Sequence, residues 1–400
     1  MIGKVIILIL TLIFFPATNK IKNYKPLIIR YNKFKIKNKS SIKLEENLME
    51  FISYAKFIKE GKVKKIIYHK NYSKPKISFI ISVFNKEKYL ESFILSIQMQ
   101  DFKKIEIIFV DDFSVDKSDK IINDFGKRDK RIKLIKNKKN MGSLYSRAIG
   151  GNLSKGNYII FFDSDDIILK EGILKSYNHI KKYNLDIVQF LSINQKNETI
   201  SIHKNYNKYK NIIRQPLLSY IFYFNNNTGA ENNIVLWDKL IKKQVVLKSL
   251  NFIGEKYINE KIMIENDVIL LYTILKIAKS YQFIESFGYY YFRGNLDSIT
   301  NTLSNNPEKS NEIIHSVLIN LKFLYEKSNN TFLDKYFCIF KIKQTFKRYK
   351  KILNYANKQF ELMKNIFNTF LNSKLISNKD KLDIVKIYLT IFNIDGSKRK

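Results

Sequence analysis

From Pro75 to Asp163 the chain alternates short apolar runs with polar turns and stretches of helical spacing. Ile77–Phe84 (ISFIISVF) is rich in β-branched and aromatic residues, the pattern of a buried strand. After the polar turn Asn85-Lys86-Glu87-Lys88, Leu90, Phe93, Ile94 and Ile97 recur at helical steps. Ile105–Val110 predicts a second strand, running into Asp111 and Asp112, with a helix over 117–126 behind it. Ile132–Ile135 is a third, short strand, Ser143–Leu153 a helix between Gly142 and Gly150-Gly151, and Tyr158–Phe162 a fourth strand. Such alternation predicts an α/β fold: a mostly parallel central sheet with helices on both faces.

The second half is less regular. Residues 184–192 open with the strand-like run LDIVQFL, and the segment from Trp237 reads as the edge of a strand or helix. Asn259–Ala278 predicts a helix whose start carries Glu260, Glu265 and Asp267. Acidic side chains are favoured in a first turn, so capping alone would explain Asp267. Tyr289–Arg293 predicts an aromatic strand, and beyond Pro307 the pattern is helical and basic. The chain therefore divides into a leader (1–18), a basic stem (19–74) with a helix near 44–60, a domain (75–300), and a helical C-terminal region (301–400). Within the domain, 75–190 and 191–300 read as two halves.

Composition changes this picture little. The apolar fraction of 45% over 400 residues is ordinary for a globular protein. The formal net charge of +35 favours anionic partners in general, but the lysines are dispersed among Asn, Tyr and Ile. No motif for groove docking or base stacking accompanies them, so no nucleic-acid partner is expected. Cys338 is the only cysteine, which excludes an intrachain disulfide and argues against a cysteine-held zinc; it reads as a small buried hydrophobe. His69, His179, His203 and His315 show no ligand spacing and read as surface residues.

The leader does change the picture. Lys4 precedes an uncharged run, Val5–Phe15, then Pro16, Ala17 and Thr18. The run is shorter than the roughly 20 residues of a membrane span. It fits a signal peptide or a short signal-anchor. Both predict a location in the secretory pathway (endoplasmic reticulum or Golgi) or at a membrane reached through the N-terminus. The sequons at Asn71, Asn197 and Asn226 would then be open to glycosylation.

The candidate chemistry lies at strand ends. In FFDSDDIIL, Asp163, Asp165 and Asp166 crowd three carboxylates behind an apolar run. Like charges repel and each is costly to desolvate, so the cluster either faces water on a turn or shares a cation. Asn85, Asp111-Asp112 and Asp163–Asp166 each follow a predicted strand, the rim where open α/β sheets bind ligands.

The segments ISFIISVFNKEKYLESFILSIQMQDFKKIEIIFVDDFSVDKS and NMGSLYSRAIGGNLSKGNYIIFFDSDD, followed by WDKLIKK, IENDVILL and YYYFRGNLDSIT, resemble the family 2 glycosyltransferases and their GT-A nucleotide-sugar fold. The resemblance spans roughly 75–300 and implies a UDP-sugar donor and a glycan, lipid or protein acceptor. It places Phe84 and Asn85 at the uracil, Asp111 and Asp112 on the uracil imide and ribose, and Arg147 in support of the nucleotide. Glu87, Asn140, Gly142 and Ser164 would complete the donor site, and Arg293 would hold the diphosphate or acceptor. Asp163 and Asp165 match the D-x-D metal pair, with Asp166 as an alternate ligand. Asp267 matches the catalytic base of the "ED" element, and Glu265 could assist it. The sequence departs from the family at Phe84 (usually Tyr), Ala148 (usually Asn) and Asn266 (usually Glu).

This assignment agrees with elementary chemistry. A nucleotide sugar leaves as a diphosphate, whose charge Mn²⁺ or Mg²⁺ on hard carboxylate oxygens would neutralise. A carboxylate near the acceptor hydroxyl would take its proton as it attacks the anomeric carbon, inverting the configuration. A non-catalytic nucleotide-sugar binder of the same fold is the alternative, with Asn266 as its best support.

Overall fold

The computed structural model describes residues 74–196, 199–202, 211–215, 235–292, 310–327 and the single position 368. The leader, the stem, the three sequons, Arg293, His69, His203 and Cys338 lie outside the described residues.

The order of elements is β1 (Ile77–Val83), α1 (Glu87–Gln98), β2 (Ile105–Asp111), α2 (Ser118–Gly126), β3 (Ile132–Lys136), α3 (Ser143–Leu153), β4 (Tyr158–Asp163) and β5 (Ile167–Ile168). There follow α4 (Lys170–Tyr183), β6 (Ile187–Lys196), β7 (Thr199–Ile202), β8 (Ile213–Arg214), β9 (Lys239–Lys242), α5 (Lys243–Ile253), α6 (Glu255–Ile258), α7 (Asn266–Ile277), β10 (Ser280–Phe292) and α8 (Ser310–Lys327). One sheet runs β3-β2-β1-β4-β9-β6-β10-β5, with β7 beside β6 and β8 beside β10. Its first half is wholly parallel. Antiparallel pairing enters with β9, which joins β4 to β6. The expected mostly parallel sheet is thus a mixed one, parallel in the half where βα units repeat and again between β6 and β10.

The continuous apolar run of β1 follows from burial on both faces. Ile77, Phe79, Ile81 and Val83 join Leu90, Phe93, Ile94 and Ile97 of α1 in one core. Ile80, pointing the other way, lies against Gly150 of α3. Helices therefore cover both faces, and burying β1, with five apolar residues at 0–1% exposure, stabilises by about 1.5–3 kcal/mol per large apolar side chain.

The expected helix 259–278 is shorter than its pattern. It begins at Asn266, because residue 262 is drawn into a parallel bridge with Gly142 and Glu265 takes a left-handed φ of 55°. The N-cap residue Glu265 makes no side-chain capping hydrogen bond, and Asp267 stands in the first turn, where an acidic side chain is favoured. Of the C-terminal region, α8 is described. Its Ser316 Oγ accepts from Met263 N–H at 2.9 Å, and Asn320 Nδ2 donates to Ile264 O at 3.2 Å. Helix α8 is thus a brace for the loop before α7.

Candidate active site

The carboxyl ends of β1, β2 and β4 form one rim. At β1, Asn85 adopts φ 52° and its Oδ1 accepts from Val115 N–H at 2.9 Å, while its own N–H donates to Ser114 Oγ. Asp116 Oδ2 accepts from Glu87 N–H, and Glu87 Oε2 accepts from Lys117 N–H, each at 3.0 Å. Asn85 and Glu87 therefore clamp the loop after β2 onto the start of α1. Phe84 is half-buried beside them.

Behind β2, Asp111 Oδ1 accepts from Ser114 N–H at 3.1 Å. The Asp112 carboxylate is taken up inside the protein, accepting from Asn137 Nδ2, Met141 N–H and Gly142 N–H at 2.7–2.8 Å. It fixes the loop that leads into α3. Gly142 has φ +88°, and a Cβ there would stand 2.9 Å from Ile262 O. Only glycine permits this approach. The bridge it makes brings the start of α7 to the start of α3.

That proximity unites the predicted residues around Arg147. Its Nη2 donates to Asp163 Oδ1 at 2.9 Å, and its Nη1 donates to both Asp267 Oδ1 and Asn266 Oδ1. Asn266 thus offers an acceptor oxygen to Arg147 beside Asp267. The Arg147 side chain is 5% exposed. Burial opposes its charge, yet Asp267 and Asp163 hold its pKa above the usual guanidinium value. The Asp163 pKa is raised as well, up to about 6. Burial is the main cause and outweighs the Arg147 charge, and Asp267 and Asp165 add like-charge repulsion.

The other two carboxylates of the turn face different partners. Asp165 Oδ2 accepts from Lys86 Nζ at 2.6 Å. Burial works against the Lys86 charge, but the Asp165 contact prevails and raises its pKa. Asp166, 1% exposed, accepts from the Tyr289 hydroxyl at 2.5 Å. Burial, reinforced by Asp166, holds that phenol well above its usual pKa. Ser164 Oγ donates to Ser82 O at 3.1 Å. Glu265 lies at the left-handed residue before α7.

Sequence reasoning missed Lys86, Tyr289 and Asn137. Lys86 is one of 71 basic residues, and nothing in its neighbourhood marks it. Tyr289 stood in an aromatic run that explained itself as core. Its signal was an aromatic strand late in the chain returning to the sheet centre.

The residues suit a divalent ion in kind. Their oxygens are hard, and Mg²⁺-type sites need only one or two carboxylates when substrate phosphates complete them. Among the described residues no three acidic, His or Cys side chains converge as a closed cage, so such an ion would rest on Asp163 and Asp165 with the donor. Two buried atoms, Asn140 Oδ1 and Arg147 Nε, have no hydrogen-bond partner among the described residues. Buried polar atoms are ordinarily satisfied, so these fit a site that a ligand completes.

The model of the glycosyl transferase family 2 matches residues 78–243. The cholesterol galactosyltransferase of Borreliella burgdorferi is 29% identical over 244 residues, covering 58% of this chain and 63% of that protein. A glycosyltransferase of Haemophilus influenzae is 42% identical over 111 residues, covering 28% of this chain and 44% of its own. The chain thus spans less than two thirds of either relative. Among solved structures, Staphylococcus aureus TarS 1–349 in complex with UDP-GlcNAc aligns with a TM-score of 0.57 at 13% identity, covering 80% of this chain and 88% of that one. That likeness establishes the sheet and its order of elements as the GT-A arrangement. Strands, rim and the matched segment agree: over residues 78–243 the chain is similar to glycosyl transferase family 2, and its fold is that of the GT-A structures.

Proposed function

We propose that this protein is an inverting glycosyltransferase that moves a sugar from a UDP-sugar to a hydroxyl of a glycan, lipid or protein. One observation carries the reading: a single buried guanidinium, Arg147, joins Asp163 at the end of β4 to Asp267 at the start of α7. The donor-side turn and a carboxylate from the acceptor half thus meet at one cation. The family match over residues 78–243 supports the reaction class, and the UDP-GlcNAc named for TarS supports the donor class.

In this reading the loop after β2, clamped by Asn85 and Glu87, borders the base and ribose. Lys86 and Arg147 place two positive charges where the diphosphate would gather negative charge. Asp267 gives Oδ1 to Arg147, which fixes its orientation, and Oδ2 has no protein partner among the described residues. That oxygen takes the acceptor hydroxyl proton while the hydroxyl oxygen bonds to the anomeric carbon and the bond to the diphosphate oxygen breaks. Mn²⁺ or Mg²⁺ held by Asp163 and Asp165 would add Lewis-acid neutralisation of the leaving diphosphate. The leader supports a place in the secretory pathway or at a membrane.

The test is a thermal-shift and turnover panel of UDP- and GDP-sugars with and without Mn²⁺. Stabilisation by a UDP-sugar with Mn²⁺, together with release of UDP, is expected. Binding without turnover would leave a nucleotide-sugar binder, and no response to any nucleotide would overturn the reading.

A further inference from the structure

The four residues Asp163–Asp166 form a tight turn whose two ends meet the same side chain. The Tyr289 hydroxyl donates to Asp166 Oδ2 at 2.5 Å, and Asp163 N–H reaches the same phenol oxygen at 3.4 Å. Between them, Ser164 is tied back to Ser82 at the end of β1. The fourth residue, Asp165, points its carboxylate to Lys86.

Tyr289 is itself immobilised. It is 0% exposed, in the middle of β10, where that strand pairs with Ile168 of β5 on one side and Ser192 of β6 on the other. Its ring is sandwiched, parallel to Phe162 at 5.7 Å and 5° and to Trp237 at 4.4 Å and 13°. Trp237 stacks in turn on Tyr291 at 5.6 Å. Two strands, β4 and β10, and the segment before β9 thus build a rigid aromatic column, and its Tyr289 hydroxyl is directed at the acidic turn. Stacking alone would be served by phenylalanine. A buried tyrosine O–H beside a buried carboxylate is selected by the hydrogen bond.

We infer that Tyr289 is a positioning residue for the acidic turn: its hydroxyl ties Asp166 and Asp163 together so that Asp165 and the Asp163 carboxylate are presented to the diphosphate, and Asp166 serves as anchor. The inference rests on the donor-site reading above for what the turn binds, but not for how the turn is held.

The experiment therefore has two readouts. Tyr289→Phe keeps the aromatic column and removes only the hydroxyl. Hydrogen exchange of the backbone amides of 163–166 is expected to rise at least tenfold in this variant, with β1 and β2 unchanged. The Kd for UDP with Mn²⁺ is expected to rise about tenfold. The double variant Tyr289→Phe/Asp166→Asn also removes the buried Asp166 charge that the Tyr289 hydroxyl no longer meets. It is expected to recover thermal stability without recovering UDP affinity. Unchanged exchange at 163–166, or recovery of UDP affinity together with stability in the double variant, would overturn the proposal. Should the wild-type protein bind no nucleotide, the donor-site reading fails, and the exchange readout still decides whether Tyr289 holds the turn.

Discussion

Arg147 donates to Asp163 at 2.9 Å while its other amino nitrogen holds Asp267, 120 residues further along the chain. The guanidinium is almost fully buried, so neither carboxylate can change without leaving the other facing an altered charge. In the proposed reading, donor side and acceptor side share this one cation.

Asp267→Asn tests the acceptor side. The amide keeps the shape and an oxygen for Arg147 but takes no proton at neutral pH. Transfer is expected to fall roughly 10²–10⁴-fold, with UDP binding within a few-fold of wild type. Glu265→Gln should cost less than tenfold. Steady-state rates of the two variants decide which carboxylate is the base, and equal wild-type rates would remove both.

Asp165→Asn tests the metal-side turn. Loss of its charge strands Lys86, at a cost of about 1–3 kcal/mol in stability. The larger effect should be functional, on the order of a hundredfold in rate, with loss of Mn²⁺-dependent stabilisation by UDP. Full activity at an unchanged Mn²⁺ requirement would show that Asp165 is not the ligand.

The legibility of the sequence follows from how local each signal is. β1, β2, β4 and α1 were readable because each is an uninterrupted run or a single stripe, set by burial against its own neighbours. Asp163, Asp165 and Asp267 were readable because acids at an element's end are conspicuous. What stayed hidden was non-local. The late start of the 259–278 helix at Asn266 depends on Gly142, and one partner of Asp166 is a tyrosine 123 residues away. The split of one acidic cluster among Arg147, Lys86 and Tyr289 is equally invisible to spacing.

Gly142→Ala tests the link between the halves. Its Cβ would crowd Ile262 O at 2.9 Å, in a backbone conformation of φ +88°. A loss of about 2–3 kcal/mol is expected, together with weakened activity, since Arg147 and Asp267 would be pushed apart. Gly254→Ala is the control: φ is +79° but nothing lies within 4 Å, so it should cost about 1 kcal/mol and leave the rate intact. Urea titration separates them.

Glu106 supplies a pH prediction away from the site. It is 2% exposed, and its carboxylate accepts from Ser78 Oγ at 2.6 Å, Lys133 Nζ at 2.7 Å and the N–H groups of Lys155 and Gly156. Burial would raise its pKa, but these donors, Lys133 first, prevail and lower it. A lowered folded value contributes stability that is complete above the unfolded value of about 4.3 and is lost as pH falls through the folded value. Glu106→Gln should cost about 2–4 kcal/mol at pH 7, and the gap to wild type should narrow below about pH 4. A gap that stays constant from pH 7 to pH 3 would contradict this account.

The loop before α7 is held from both directions of the chain, by Gly142 upstream and by Ser316 and Asn320 of α8 downstream. In a chain made from its N-terminus, β1 to β4 can pair once Asp163 has emerged. The base-bearing loop gains its second support only after Asn320. At 5–20 residues per second the interval is roughly 10–30 s. The half built on β1 to β4 is therefore an early-maturing unit, and the loop that brings Asp267 to Arg147 is braced only after α8 has been made.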